Sequence, residues 1–214
     1  MSNYFNKSYT DNFFNVSKEQ AAKSPIKGYV FGDSNDQART NAFIEKLLLH
    51  RIDVYDMPNS SNYFVPTNQD NYIMVRTIFE NQITYQDSSF YDASVWSLIH
   101  AYGLPYSEVK TAITAGKKIS NIPEPIIASF NKSNYAYLVN NTDYNIHKFI
   151  YELERNGVIL KTAFRPFSSM INGTETRFGY GSIVIPVQQQ NISAETLFEL
   201  VTKASKSSNI KVHA

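Results

Sequence analysis

The chain has no cysteine, only four histidines and a single tryptophan in 214 residues. The missing cysteine excludes disulfide scaffolds, thiolate zinc sites and cysteine nucleophiles, and it leaves the chain compatible with any redox compartment. Neither charge dominates: 20 Lys+Arg stand against 19 Asp+Glu, a formal net charge of +1. That balance argues against a nucleic-acid surface, which shows as a basic excess or stripe. No apolar run approaches the ~18 residues that a bilayer span needs. The N-terminal stretch lacks the charged, apolar and small-residue zones of a signal peptide. Met1-Ser2-Asn3 reads equally as the start of a cytoplasmic protein or as a cut through a longer secreted one.

What is present is apolar and aromatic: 43% of residues are hydrophobic and 14% are Phe, Trp or Tyr. A chain of this length buries roughly 70% of the surface that it exposes when unfolded, so a core needs no staples. Several Asn-X-Ser/Thr triplets occur, among them those at Asn6, Asn15, Asn131, Asn140, Asn172 and Asn191. In so Asn- and Ser-rich a chain they arise by chance, and they do not establish glycosylation.

Residues 10–24 have apolar positions at near-helical spacing and end at Ser24-Pro25, which predicts a lead-in helix. Gly28-Tyr29-Val30-Phe31-Gly32 reads as a buried strand, and Asp33 to Asp36 as turn and cap. A helix follows to His50, then a strand over Ile52 to Tyr55. Strand, helix, strand predicts a βαβ unit and hence a parallel sheet. The grammar recurs as a strand at Tyr135 to Val139, a helix over Ile146 to Leu153 stopped by Gly157, and a strand at Val158 to Lys161. At an offset of 106, Tyr29/Tyr135, Asn35/Asn141, Phe43/Phe149, Ile44/Ile150 and Leu47/Leu153 are identical. Tyr63 to Gln69 also mirrors Ile183 to Gln189, with a proline closing each strand. The expectation is one three-layer α/β domain over 25–214, behind a lead-in over 1–24. Its halves span about 25–70 and 130–190, with a helical insertion at about 71–118 and a Pro123/Pro125 linker.

Chemistry is sparse. His50, Asp53 and His147 superficially offer a two-His, one-carboxylate zinc set, but a helix-end His and a strand Asp need not converge. Asp92, Ser94 and His100 point to different faces of one helix, and no Gly-X-Ser-X-Gly elbow lifts a serine out of a sheet. There Asp87 and Asp92 read as caps, Phe90, Tyr91 and Trp96 as anchors, and Ser94 as a packing residue. Gly28-X-X-X-Gly32 is no dinucleotide fingerprint, and Gly179-Tyr180-Gly181 precedes a strand rather than a helix. Arg165, in Phe164-Arg165-Pro166-Phe167, can present a cation in a groove or lay its stem on aromatics.

Several segments together resemble the region C-terminal to the peptidase domain in large bacterial zinc carboxypeptidase-like proteins. They are Asp87-Ser88-Ser89-Phe90-Tyr91-Asp92-Ala93-Ser94-Val95-Trp96, Tyr29-Val30-Phe31, His50-Arg51-Ile52-Asp53-Val54, Tyr63-Phe64-Val65-Pro66, Gly157-Val158 with Arg165-Pro166-Phe167, and Gly181 to Gln188. The resemblance runs from about Phe13 to Ala204. It implies a secreted or periplasmic parent whose zinc belongs to an upstream peptidase domain of the same polypeptide. It also implies a trailing domain of flavodoxin-like, class I glutamine amidotransferase-like fold. No zinc ligand or catalytic residue of that family maps onto this chain, and amidotransferase chemistry needs a cysteine. The expected role is therefore a non-catalytic accessory domain, with no cofactor of its own, that packs on the peptidase domain or binds a peptide or small molecule. Asp87, Tyr91, Asp92, Trp96 and Arg165 are its candidate binding residues. The alternatives are a small-molecule or sugar-binding module using the crevice near Gly32-Asp33 and Asn140-Asn141, and a small hydrolase using Ser94 or Asp92 with a histidine.

Overall fold

The computed structural model describes residues 2–81, 97–123 and 129–214, with side chains from residue 7 onward. The chain divides into two compact units, Met1–Ser34 with Thr40–Pro123, and Asn35–Arg39 with Glu124–Ala214. In chain order the elements are α1 (Ser2–Lys23), β1 (Gly28–Phe31), α2 (Gln37–Leu49), β2 (Tyr55–Asp56), β3 (Tyr63–Pro66), α3 (Tyr72–Phe79), α4 (Leu98–Tyr102) and β4 (Tyr106–Val109). Then come β5 (Ala136–Val139), α5 (Ile146–Glu154), β6 (Lys161–Thr162), β7 (Phe167–Ile171), β8 (Thr174–Phe178), β9 (Ile183–Pro186) and α6 (Ala194–Ser208). No described helix is long and apolar enough to cross a membrane.

The parallel, flavodoxin-like or amidotransferase-like sheet is not what forms. Every strand pair among the described residues is antiparallel, in sheets ordered β2-β3-β1-β4, β5-β9-β6 and β7-β8. The predicted strand-helix-strand units exist, but their two strands are not neighbours. β3 lies between β1 and β2 and is antiparallel to both, and β9 separates β5 from β6 in the same way. The connection from β2 to β3 is only residues 57–62 and turns through Asn59 at φ 58°. So short a link joins antiparallel partners and cannot carry a parallel crossover. The resulting β-α-β-β-α-β order is that of the split βαβ, ferredoxin-like topology.

The second unit repeats this path. β5, α5, β6, β9 and α6 correspond to β1, α2, β2, β3 and α3 with α4, and the pairing of Leu138 with His213 takes the place of β4. Register refines the repeat read from the sequence. Tyr29 pairs with Val65 and Tyr137 with Ile185, each one residue before the strand-ending proline. The counterpart of Tyr29 is therefore Tyr137, fully buried like it, whereas Tyr135 is 85% exposed. Phe43/Phe149 and Leu47/Leu153 keep the offset of 106, and all four are fully buried.

Helix ends are shared too. After α2, the N–H groups of Ile52 and Arg51 donate to the carbonyls of Leu47 and Leu48, and after α5 those of Val158 and Gly157 donate to Leu153 and Glu154. Both are Schellman closures, which put one residue in the left-handed region. That residue is Gly157 at φ 74° in the second unit but Arg51 at φ 56° in the first. Gly103 and Asn209, again 106 apart, close α4 and α6 in the same way.

A glutamine clamp also recurs. The N–H of Asp53 donates to Gln69 Oε1 at 2.8 Å, while Gln69 Nε2 donates to the Pro66 carbonyl at 2.6 Å. The N–H of Ile159 donates to Gln190 Oε1 at 2.8 Å, and Gln190 Nε2 donates to the carbonyls of Pro186 at 2.8 Å and Ile159 at 2.9 Å. Each clamp satisfies backbone left unpaired where the chain leaves a helix for a short strand. Gln190 fills the role, one residue beyond the Gln189 that the sequence aligns.

Each unit has its own core. In the first it joins Tyr29, Phe31, Phe43, Leu47, Val65, Val75, Phe79 and Ile99; in the second, Tyr137, Val139, Phe149, Leu153, Ile185, Leu197 and Val201. The β7-β8 hairpin, with no counterpart among the described residues of the first unit, buries Phe178 between Phe167 and the His213 ring.

Two expectations follow. Arg51→Gly relieves left-handed strain and raises stability by about 0.5–1 kcal/mol, whereas Gly157→Arg, with open space around its Cβ, lowers it by about 1 kcal/mol. Urea unfolding of both variants checks this, and equal effects would contradict it. Gln69→Ala leaves backbone groups unpaired and costs about 1–3 kcal/mol in the same assay.

Candidate functional site

In the first unit, a group of polar side chains gathers where α3 and α4 meet the β1-β4 edge. Tyr29 is held in the centre of the sheet, its ring stacked on Phe79 at 4.5 Å. Its hydroxyl accepts a hydrogen bond from Arg76 Nη1 at 2.9 Å. Tyr106, on the adjacent strand, lies 6.5 Å from Tyr29 between ring centroids, and its hydroxyl is 3.3 Å from His100 Nε2. Glu108 is directly opposite Tyr29 on β4, which places it on the same face.

Burial pushes the Tyr29 phenol up to about 12, reinforced by Glu108 and Tyr72 and opposed by the Arg76 cation. Burial and Glu108 also raise Tyr106. Both hydroxyls therefore remain protonated donors at neutral pH. Arg76 is partly exposed, and among the described residues no carboxylate lies within ion-pair distance of it.

The sequence carries a signal for Arg76. It lies four residues after Tyr72 and three before Phe79, so it interrupts an apolar helical stripe with a cation. Tyr106 and Glu108 gain meaning only from the strand pairing that brings them beside Tyr29.

Of the candidates named from the sequence, Asp87, Tyr91, Asp92 and Trp96, together with Ser94, lie outside the described residues. Arg165 is exposed in the second unit beside Phe164, which is 87% exposed, on the approach to β7. His100 engages Tyr106. His50 is exposed one residue past α2, Asp53 pairs with Lys118 at 2.7 Å, and His147 is exposed on α5. Among the described residues no three His, Cys, Asp or Glu side chains come together as a metal set. The expected crevice at Gly32-Asp33 and Asn140-Asn141 presupposes parallel strands ending at one edge, which antiparallel sheets do not have. There the Asp33 N–H donates to Thr40 Oγ1, and Asn141 lies against Gly181.

No family model, curated protein or solved structure matches this chain.

The raised Tyr29 pKa has a pH consequence. Between pH 10 and about 12 the folded protein keeps a proton that the unfolded chain releases, so stability present below pH 10 is lost as pH rises through that window. The loss from this group is about 2–3 kcal/mol. Tyr29→Phe removes most of that slope, as measured by urea unfolding across the alkaline range. An unchanged slope would contradict the assignment.

Proposed function

We propose that this chain is a non-catalytic accessory module of a secreted or periplasmic zinc carboxypeptidase-like protein, packing on its upstream peptidase domain or binding its substrate. The residues that resemble such proteins support the reading, above all Asp87 to Trp96. The observation that carries it is what the two units have in common. Tyr29/Tyr137, Phe43/Phe149, Leu47/Leu153 and Pro66/Pro186 build core and strand ends, and Gln69/Gln190 clamp backbone. Among the described residues, what the two units share is architecture, not a set of reacting groups. The antiparallel sheets remove the amidotransferase likeness. On this reading zinc belongs to the peptidase domain, and the chain's contribution is surface.

The test is turnover. The chain, purified with added zinc and given peptides with free C-termini, is expected to release amino acids no faster than buffer does. Sustained release that a chelator abolishes would overturn the reading.

A further inference from the structure

We propose that the first unit binds a small monocarboxylate between Arg76, Tyr106 and His100. Arg76 is fixed from below, because the buried Tyr29 hydroxyl accepts from Nη1 at 2.9 Å. The remaining guanidinium donors are left for an outside acceptor, in the fork geometry that suits a carboxylate. Among the described residues no carboxylate lies within ion-pair distance of the guanidinium, and a bound carboxylate takes that place. Tyr106, whose ring lies 6.5 Å from that of Tyr29, and His100, whose Nε2 is 3.3 Å from the Tyr106 hydroxyl, are both accessible and offer the further polar contacts. Glu108, near enough to raise both tyrosines, sets one fixed negative charge against the one cation. That charge count favours a monoanion over a dianion such as phosphate.

The second unit serves as a built-in control. Counting from helix starts, Arg76 corresponds to Phe198, whose ring stacks on that of Tyr137 at 6.4 Å, whereas Arg76 reaches the Tyr29 hydroxyl and Phe79 stacks on the Tyr29 ring. Counting from the shared helix caps, His100, Tyr106 and Glu108 correspond to Lys206, Val212 and Ala214. The same place in the fold is thus apolar at its centre in one unit and a set of donors in the other. In the second unit a groove of about 610 Å³ runs along α6, lined by Phe198 and Lys206 among others. In that unit the buried Tyr137 hydroxyl accepts from the Ser133 N–H at 3.2 Å, so a tyrosine at the centre of the sheet does not need an arginine partner. The polar set is therefore not a folding requirement of the topology.

The test titrates the full chain with sodium acetate at constant ionic strength and follows the Arg76 side-chain and His100 ring signals by NMR. Saturable shifts are expected. They should weaken roughly tenfold or more in Arg76→Phe, and should weaken in Arg76→Lys, which keeps the charge but loses the fork. Should Arg76→Phe misfold, Arg76→Gln and Tyr106→Phe make the same comparison. Shifts that never saturate, affinity unchanged by these substitutions, or tighter binding of inorganic phosphate than of acetate would each overturn the proposal. None of these results bears on the turnover assay, so the two readings fail separately.

Discussion

The central strand of each unit needs partners on both edges, and most of the architecture follows from how those partners are supplied. β1 is bonded to β3 on one side and β4 on the other, with Tyr29 and Phe31 fully buried on one face. A strand so enclosed cannot leave its N–H and C=O groups unpaired. The helix following it returns the chain parallel to β1 but one strand too far away, and the antiparallel β3 fills the gap. Once that insertion is made, the proline ending β3, the helix returning over the sheet and the last strand on the far edge follow in sequence. In the second unit β9 fills the same gap beside β5, again ending in proline.

Part of this was legible in the residues. Strands at 28–31 and 63–66, helices over 37–49 and 146–154, and the glycine closure at Gly157 all lie where periodicity and turn chemistry put them. The repeat was legible as well, although its register was two residues off in the first strand, because identity favoured Tyr135 while burial selects Tyr137. Neighbour relations were not legible, since βαβ grammar says that two strands are parallel without saying that they touch. The six-residue link before β3 held the missing information, because a link that short implies a hairpin. The β7-β8 hairpin and α6 were not anticipated, as their alternations are broken by charged and small residues. Of the polar cluster, only Arg76 left a mark, as a cation on an apolar helical stripe.

The two units depart from each other at opposite ends of the same plan. From Asp53/Ile159 to Pro66/Pro186 the offset grows from 106 to 120, so the second unit holds 14 more residues there, including the β7-β8 hairpin. From the start of α3 and α6 to their caps it falls from 122 to 106, so the first unit holds 16 more, between α3 and α4. Both insertions fall between elements that the topology keeps, and neither interrupts a central strand. Such connections tolerate length because loop closure costs grow only slowly with it.

This separation of frame from additions explains why the distinctive residues lie where they do. The Asp87 to Trp96 string falls within the extra segment of the first unit, and Arg165 lies on the approach to the extra hairpin of the second. The Arg76, Tyr106 and His100 set belongs to the elements on either side of the first insertion. A repeated fold relaxes constraint in this way: one unit satisfies its buried tyrosine hydroxyl with the Ser133 N–H, and the other places the Arg76 cation against its own. The frame loses nothing by that exchange, because each ring keeps an aromatic neighbour and each buried hydroxyl keeps a donor. What differs is charge at the surface, which is where a binding preference can arise without disturbing either core.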